Sequence, residues 1–546
     1  MQYFQRKTQR AYQKQVHTEK KRPVQRNRSF RLAVIVPAMN EEDTLGGVLD
    51  EINRLEPDDL IVVVNGSTDQ TAAIAQSKGA RVVHYQYPLG NDVGRAIGLK
   101  EAQADIYLIT DADIIIKAEQ YLPFIKAIEQ GEDASINSID WITHYEKADT
   151  ISAARYFLNE VQGRSDLRAE NLLTIPHAIS HSLKENMGVS AFANPMLATS
   201  VCLEKTKKVN SPYAIDVLKM NKPRKNHVAR GTEILSLAMQ RMQGDALEAI
   251  AYYVSEASQP VIETEISYSE SDRNHCREQW WSGHEEKPVS FIVYFDQSYD
   301  PSMVTTIAQL QRNETIEVIP IVVEECSVLC WQFQQMKQPY IRLTNSDKLG
   351  HAYEMGRYLA RGQFCLYHHG FIPLAVYQIA QFVDQATANP DAFIVNDQED
   401  HFTTLEQMDS FFKGQQLVTM LNPSVNIHLS SVLLPPFLLP TSFACKVRSP
   451  ENLQIDLFVD QVPVVKGAKV DVRAYLQNKQ QDLLRDLLNG FNHLFLKTNR
   501  RGGFTDEGRR RELLPSLSFA ACLKQVQVKK ASVSYIHTGT TQPERT

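Results

Sequence analysis

Residues 107–116 read YLITDADIII and place two carboxylates, Asp111 and Asp113, one residue apart at the end of an apolar run. Two ionised carboxylates that close repel, and one keeps a proton unless a cation neutralises both. A divalent ion does so. Hard oxygen ligands suit Mn2+ or Mg2+, and a site with few protein ligands leaves coordination positions open for phosphate oxygens. The ion then acts as a Lewis acid on negative charge that builds on a departing diphosphate. Asp-x-Asp is also a common tripeptide, and either residue could merely cap a turn or the next helix. The position of the pair in the fold separates the two readings.

That position follows from the elements upstream. LAVIVP, residues 32–37, is short, aliphatic and β-branched, which predicts a buried strand stopped by Pro37. MNEEDTLGGVLDEINRL follows, with Leu45, Val48, Leu49, Ile52 and Leu55 at helical spacing and acids in the first turn, where the helix dipole favours them. Residues 60–85 repeat the theme of strand, polar turn, helix and strand. VGRAIGLKEAQA then sets Gly94, Gly98 and Ala102 along one helix face, allowing close approach to a sheet, and DIYLIT is the next strand. Strands alternating with helices imply a parallel sheet, and such sheets bind ligands at the carboxyl ends of their strands. Asp111 and Asp113 fall at such an end. So do Asn40, Glu41, Asn65 and Asp69, and all are expected to converge on one site.

The pattern returns in the second half. Strand-like SFIVYF begins near 290 and EVIPIVV near 317, while Ala352, Gly356 and Ala360 reproduce the spacing of Gly94, Gly98 and Ala102 at an offset of 258 positions. At that offset Asp111 becomes His369 and Asp113 becomes Phe371, so a second copy without the carboxylate pair is expected. Neutral imidazoles supply no negative charge for a hard divalent ion beneath a diphosphate. The predicted fold class is α/β, with two Rossmann-like domains in tandem, 31–286 and 287–450, the second degenerate. A flexible basic tail is expected over 1–30, and a mainly helical C-terminal extension over 451–546, packing on the second domain. Within the first domain ANPMLATSVCLEK reads as a turn and short strand, and RGTEILSLAMQRM as a helix; TNRRGGFTDEGRRRELLP near the end reads as a basic loop leading into another helix. Trp280 and Trp281 could stack on a sugar or pack between domains.

VIVPAMNEEDTL, VVVNGSTDQTAAIA, LGNDVGRAIG and DIYLITDADI, in this order, resemble the donor-binding half of family 2 glycosyltransferases with the GT-A fold. The resemblance covers residues 31–116 well. It implies a nucleotide-diphosphate sugar as donor, a UDP-sugar first, and Mn2+ or Mg2+ held by Asp111 and Asp113. It also implies that Pro37, Ala38, Asn40 and Glu41 cradle the base and ribose, with Asn65 and Ser67 at the second strand end, Gly90 and Arg95 beneath the diphosphate and sugar, and Ala112 between the metal-binding carboxylates. Members often carry Asp where Asn65 stands, and some carry Lys where Asn91 stands. Inversion at the anomeric carbon needs a base opposite the leaving diphosphate, drawn in the family from a helix start roughly 100 residues onward. Glu233 is the candidate, with Asp245 and Glu185 as rivals; a helix-start carboxylate favoured by the dipole explains Glu233 equally well. Arg230 could hold an acceptor phosphate or carboxylate. His275 could complete the metal shell, with His284 as its rival. The acceptor is expected to be a hydroxyl of a cell-surface glycan or lipid-linked precursor; PAMNEED also resembles glucosyl-3-phosphoglycerate synthases, whose acceptor is a small phosphorylated acid. A non-catalytic sugar-nucleotide sensor is the reading from a different class.

Composition sets the outer bounds. At 546 residues the chain exceeds the roughly 250 to 300 residues at which single cores stop growing, so two domains are expected. No apolar run is long enough to span a bilayer, no secretory leader is visible, and seven cysteines fit reduced thiols; a cytoplasmic location is expected. The formal charge of −6 hides an asymmetry: residues 1–30 hold nine Lys/Arg and one acid, leaving 49 basic and 63 acidic residues, a net −14, for the rest. The tail could touch anionic lipid at the inner membrane face or simply be solvated. An acidic body without a recognised binding motif disfavours nucleic acid, and the absence of a P-loop or GxGxxG sets aside ATPase and dehydrogenase readings.

Overall fold

The computed structural model describes residues 22–90, 92–144, 149–220, 236–256, 264–283, 286–323, 325–344, 349–398, 402, 404–422, 434–443, 450–506, 508–517, 527–531 and 533–536. The chain divides into two units. One comprises Met1–Asp140, Asp166–Val228 and Asp506–Ser518; the other comprises Trp141–Ser165, Ala229–Thr505 and Phe519–Thr546.

The first unit is built on seven strands: β1 (Leu32–Ala38), β2 (Asp59–Asn65), β3 (Arg81–Tyr85), β4 (Ile106–Ile109), β5 (Ala134–Asn137), β6 (His177–Ser180) and β7 (Val209–Tyr213). Their order across the sheet is β3-β2-β1-β4-β6-β5-β7. β3, β2, β1 and β4 are parallel, β6 runs antiparallel to β4 and β5, and β5 is parallel to β7. The crossovers carry α1 (Leu45–Asn53), α2 (Thr71–Ser77) and α3 (Val93–Glu101), and α4 (Ala118–Glu129) follows β4. α1 buries Leu45, Val48, Leu49 and Ile52, the face that its spacing predicts. Ile114 and Ile116 join the same core while Ile115 stays 46% exposed, so the isoleucines after the carboxylate pair anchor it to the rim of the core.

Small residues set how closely α3 approaches the sheet. A Cβ added at Gly98 would lie 2.3 Å from Ile35 Cγ2, and one at Gly94 would lie 3.0 Å from Pro37 Cβ. Alanine fits neither place without movement, so these glycines hold the start of α3 against the ends of β1 and β2.

Two local expectations are corrected in this unit. Pro195–Lys205 is a helix, not a turn and strand: Asn194 caps it by accepting from the Met196 and Leu197 amides at 3.1 Å, and Pro195 occupies the first turn, where a missing N–H costs nothing. The tail ends earlier than residue 30. Arg26, 1% exposed at its side chain, donates to the carbonyls of Leu55 (3.1 Å), Phe30 (2.8 Å) and Glu56 (2.9 Å) and to Asp58 (2.7 Å). Residues 1–21 lie outside the described residues.

The second unit contains a two-stranded parallel ribbon of β8 (Thr264–Tyr268) and β16 (Gln527–Ala531). Its main sheet has eight strands: β9 (Val289–Phe295), β10 (Ile316–Val323), β11 (Tyr340–Leu343), β12 (Phe364–His369), β13 (Phe393–Val395), β14 (Phe437–Pro440), β15 (Val464–Lys466) and β17 (Val533–Ile536), in the order β15-β13-β14-β12-β9-β10-β11-β17. From β11 to β15 this order and its strand directions repeat those of the first sheet from β3 to β7; β17 is added antiparallel along β11. The close approach recurs as well, since a Cβ at Gly356 would lie 2.3 Å from Ile292 Cγ2.

The unit boundaries differ from the expected 31–286, 287–450 and 451–546. Helix Thr150–Val161 belongs to the second unit, where Glu160 accepts from Ser410 Oγ at 2.7 Å and Lys413 Nζ at 2.6 Å. The C-terminal region contains helices, Pro450–Val459 and Arg473–Lys497, as expected, but it also builds sheet. It gives β15 and β17 to the second sheet and residues 506–518 to the first unit, because pairing a strand edge or burying a charged segment outweighs proximity in sequence. Trp280 is fully buried and donates from Nε1 to Glu317 at 2.7 Å, a packing role, whereas Trp281 is 39% exposed. No described helix is long and apolar enough to cross a membrane.

Candidate active site

The carboxyl ends of β1 and β2 are tied together by their own loops. Asn40 adopts a left-handed backbone (φ +56°), a conformation its short polar side chain tolerates. Its amide donates to Ser67 Oγ at 3.1 Å and its Oδ1 accepts from the Thr68 amide at 2.8 Å. The Glu41 amide donates to Thr71 Oγ1 at 2.8 Å, and the Glu42 amide to Asp69 Oδ2 at 3.2 Å. Asn65 is 6% exposed and donates from Nδ2 to the Ala38 carbonyl at 3.1 Å. Aspartate, the common family residue here, has no proton to give that carbonyl, which explains the amide in this chain.

Beside this rim stand Asp111 and Asp113, directly after β4. Arg95, one turn into α3, reaches Asp111 with Nη2, 2.9 Å from Oδ1 and 3.0 Å from Oδ2. Its Nη1 lies 3.2 Å from Asp92 Oδ1. Burial would lower the Arg95 pKa, but Asp111, Asp92 and, more weakly, Asp113 hold it above the ordinary value. Both members of the pair therefore act on one guanidinium. Arg95 is 8% exposed, and among the described residues nothing accepts a hydrogen bond from its Nε. Asp111 keeps 30% of its side chain in solvent; Asp113 and Ala112 are buried.

Among the described residues no three His, Cys, Asp or Glu side chains form a metal cluster. The pair nevertheless fits a hard divalent ion. Both donors are carboxylates, they already share a positive charge, and a Mg2+- or Mn2+-type ion keeps several ligands from substrate and water.

Pro37 is partly buried and Ala38 buried at the end of β1, and Gly90 (φ +86°) sits in the loop before α3, where a Cβ would lie 2.8 Å from Arg509 Cα. Glu233, Arg230, His284 and Asn91 lie outside the described residues. Asp245 belongs to the second unit and is 2.7 Å from Arg501 Nη1, while Glu185 is exposed beside Lys184 at 3.5 Å. His275 is exposed on helix Glu270–Gly283 of the second unit.

Three residues of the first unit were not legible as site members. Asp92 precedes α3 without capping it and instead faces Arg95 and Arg509. Arg509 comes from a stretch that reads as a loop. His177, paired with Ile109 across β6 and β4, is fully buried; burial first, then Arg95, pushes its imidazole down to about 3. A capping-position Asp three residues before an Arg was the one available signal.

At the equivalent strand ends of the second unit the chemistry is different. His369 is 2% exposed, with Nε2 3.6 Å from Asp296 Oδ2, and Lys479 Nζ is 3.0 Å from the same oxygen. Burial would raise the Asp296 carboxyl, but His369 and Lys479 hold it well below the usual range. The Tyr475 ring lies 5.0 Å from His369 and 6.3 Å from Phe371. Helix Arg473–Lys497 thus fills the place above β12 with its own side chains.

Residues 33–181, which include the whole rim of the first unit, match the sequence model of Glycosyl transferase family 2. This segment is similar to family 2 glycosyltransferases. Over 104 residues it is 36% identical to glucosyl-3-phosphoglycerate synthase of Mycolicibacterium paratuberculosis, covering 17% of this chain and 32% of that protein. Over another 104-residue alignment it is 36% identical to dolichyl-phosphate hexose transferase of Haloferax volcanii, covering 19% and 45%. The chain thus spans about a third to a half of the length of these curated relatives. A crystal structure of glucosyl-3-phosphoglycerate synthase from Mycobacterium tuberculosis with Mn2+, uridine diphosphate and phosphoglyceric acid aligns with 40% of this chain and 78% of its own, at 20% identity and a TM-score of 0.31.

Proposed function

We propose that the first unit is a metal-dependent, inverting glycosyltransferase of GT-A type that transfers a sugar from a nucleotide diphosphate, a UDP-sugar first, to an acceptor hydroxyl. The observation that carries the reading is the placement of Asp111 and Asp113 directly after β4, with Asp111 paired to Arg95, beside the joined ends of β1 and β2. Bound there with the donor, Mn2+ or Mg2+ would be held by Asp111 and Asp113 and would stabilise negative charge on the leaving diphosphate. The chain's own residues do the rest. Pro37, Ala38, Asn40, Glu41, Asn65 and Ser67 shape the nucleoside rim, Gly90 and Ala112 let the backbone come close to the donor, and Arg95, its Nε directed at no described acceptor, meets the diphosphate. Glu233 is the base in this reading.

For the acceptor two chemistries stand: a small phosphorylated acid, after the name of the glucosyl-3-phosphoglycerate synthases, and a hydroxyl of a cell-surface glycan or lipid-linked precursor, for which the name of the dolichyl-phosphate hexose transferase supports the lipid link but not the hydroxyl. Similarity confined to the donor half leaves the small phosphorylated acid as the second reading. The second unit is a degenerate copy of the first, a reading supported by the repeated strand order and by Tyr475 and Lys479 standing where a donor would lie. A cytoplasmic enzyme whose basic tail touches anionic lipid completes the proposal; co-sedimentation with phosphatidylserine vesicles, with and without residues 1–21, tests that part.

The decisive experiment is thermal shift with UDP, GDP and CDP, with and without Mn2+, followed by a nucleotide-sugar panel read by mass spectrometry. Stabilisation should need nucleotide and metal together and vanish in Asp111→Asn and Asp113→Asn, and Glu233→Gln should abolish transfer while leaving nucleotide binding intact. Nucleotide binding without transfer from any donor would favour the sensor reading instead.

A further inference from the structure

We propose that Arg509, delivered from the far end of the chain, is a positioning residue for donor binding: through Asp92 it fixes the Arg95 guanidinium that faces Asp111 and Asp113. The inference rests on the glycosyltransferase reading and extends it well beyond the matched segment 33–181. Arg509 Nη2 donates to Asp92 Oδ2 at 2.7 Å, with side chains 1% and 6% exposed. Its Nη1 is 3.2 Å from Asp506 Oδ1. The other Asp92 oxygen lies 3.2 Å from Arg95 Nη1, an ion pair without hydrogen-bond geometry, and Arg95 Nη2 donates to both oxygens of Asp111. Charges therefore alternate along one line, Asp506, Arg509, Asp92, Arg95, Asp111. Each buried charge lies between opposite ones, and a buried ion pair is tolerable only when its partners are in place.

The segment that carries Arg509 is seated on the donor loop by several independent contacts. The Arg510 amide donates to the Leu89 carbonyl at 2.9 Å, the Arg510 guanidinium lies 4.8 Å over the Tyr87 ring, and Ser190 Oγ donates to the Pro515 carbonyl at 2.6 Å. Gly90 makes room for it: at φ +86° its missing Cβ would meet Arg509 Cα and Cγ at 2.8 Å. A segment that merely crossed the surface would neither bury a guanidinium nor need a glycine beneath it.

The consequence concerns Arg95. With a divalent ion and diphosphate bound, Asp111 would serve as a ligand and would no longer be available to Arg95 as its partner. Asp92, held on its other side by Arg509, keeps the guanidinium at its post facing the diphosphate. Without Arg509 the buried Asp92 carboxylate retains Arg95 as its sole described counter-ion and draws it from the donor.

The test is calorimetric titration of the full-length chain with MnCl2 and whichever of UDP, GDP and CDP the wild type binds most tightly. Arg509→Ala should weaken nucleotide binding about tenfold, Asp92→Asn by a similar factor, and the double variant no further, as expected for residues acting through one path. Arg509→Lys, which keeps a charge, should recover part of the loss. A simple charge effect predicts the opposite sign for Asp92→Asn, because removing an anion tightens diphosphate binding. Where Arg509→Ala does not fold, Asp92→Asn and Arg509→Lys carry the comparison. Wild-type affinity in Arg509→Ala, additive losses in the double variant, or tighter binding in Asp92→Asn each overturn the inference. A wild-type chain that binds no nucleotide with Mn2+ overturns the glycosyltransferase reading itself, a different result.

Discussion

Replacing Gly98 by alanine sets two physical rules against each other. Glycine inside a helix is worse than alanine by about 1 kcal/mol, so propensity alone predicts that Gly98→Ala stabilises the protein. The geometry predicts the reverse. The new Cβ would lie 2.3 Å from Ile35 Cγ2, against roughly 3.5 to 4.0 Å for an ordinary carbon contact. Ile35 is fully buried in the central strand β1, so neither it nor the helix yields easily. Overpacking of this kind costs about 1–3 kcal/mol, and a larger shift of α3 costs more. For so short a contact we take the upper half of that range, about 2–3 kcal/mol; less the propensity gain this leaves a net loss of about 1–2 kcal/mol, or some 3–6 °C in the transition of this unit by differential scanning calorimetry. The same displacement carries Arg95 away from Asp111, so nucleotide binding should weaken more than stability alone explains. Gly46→Ala is the control: in α1 its Cβ would meet Ile74 Cγ2 at 3.7 Å, an ordinary contact, and the substitution should be neutral or stabilising. If Gly98→Ala matches or exceeds wild-type stability, the close approach that positions Arg95 is wrong.

Other expectations follow from single contacts. Asn65→Asp should cost about 1–3 kcal/mol by setting a carboxylate against the Ala38 carbonyl, with no gain in nucleotide affinity, as checked by paired melting and titration. His177 and His368 are held neutral in the fold, with imidazoles at about 3 against an ordinary 6.5, chiefly through burial. The unfolded chain gains those protons as pH falls below 6.5, so stability should decline from there toward pH 3, by about 2 kcal/mol per histidine at pH 5; denaturant titrations at pH 7 and 5, repeated on His177→Gln, measure the share of one. Lys479→Met leaves Asp296 with His369 and Ser298 but without its cation, and should lower the stability of the second unit by about 1 kcal/mol while leaving nucleotide binding unchanged, because that place holds no donor in our reading. Nucleotide affinity lost in this variant would make the second unit a binding partner and not a degenerate copy.

Most of the donor half could be read in advance because its signals are local. β1, β2, β4 and α1 declare themselves by aliphatic runs and 3.6-residue spacing, and the offset between Gly98 and Gly356 announced a repeated close contact that both sheets contain. The helix at Pro195–Lys205 is hidden in the sequence because its Asn-Pro start is spelled like a turn, although that pair is also a helix beginning.

Sequence alone determined the carboxylate pair, the parallel strands that end at it, and the His369 and Phe371 that stand at the matching offset in the second half. These depend on side-chain periodicity and turn chemistry within a few dozen residues. Only the tertiary structure decided that helix Thr150–Val161 belongs to the second unit, that β17 extends its sheet, and that Arg509 returns to Asp92 across more than 400 positions. A buried arginine and a solvated one are spelled alike; the difference lies in which opposite charge the folded chain brings within 3 Å, and no local pattern encodes that.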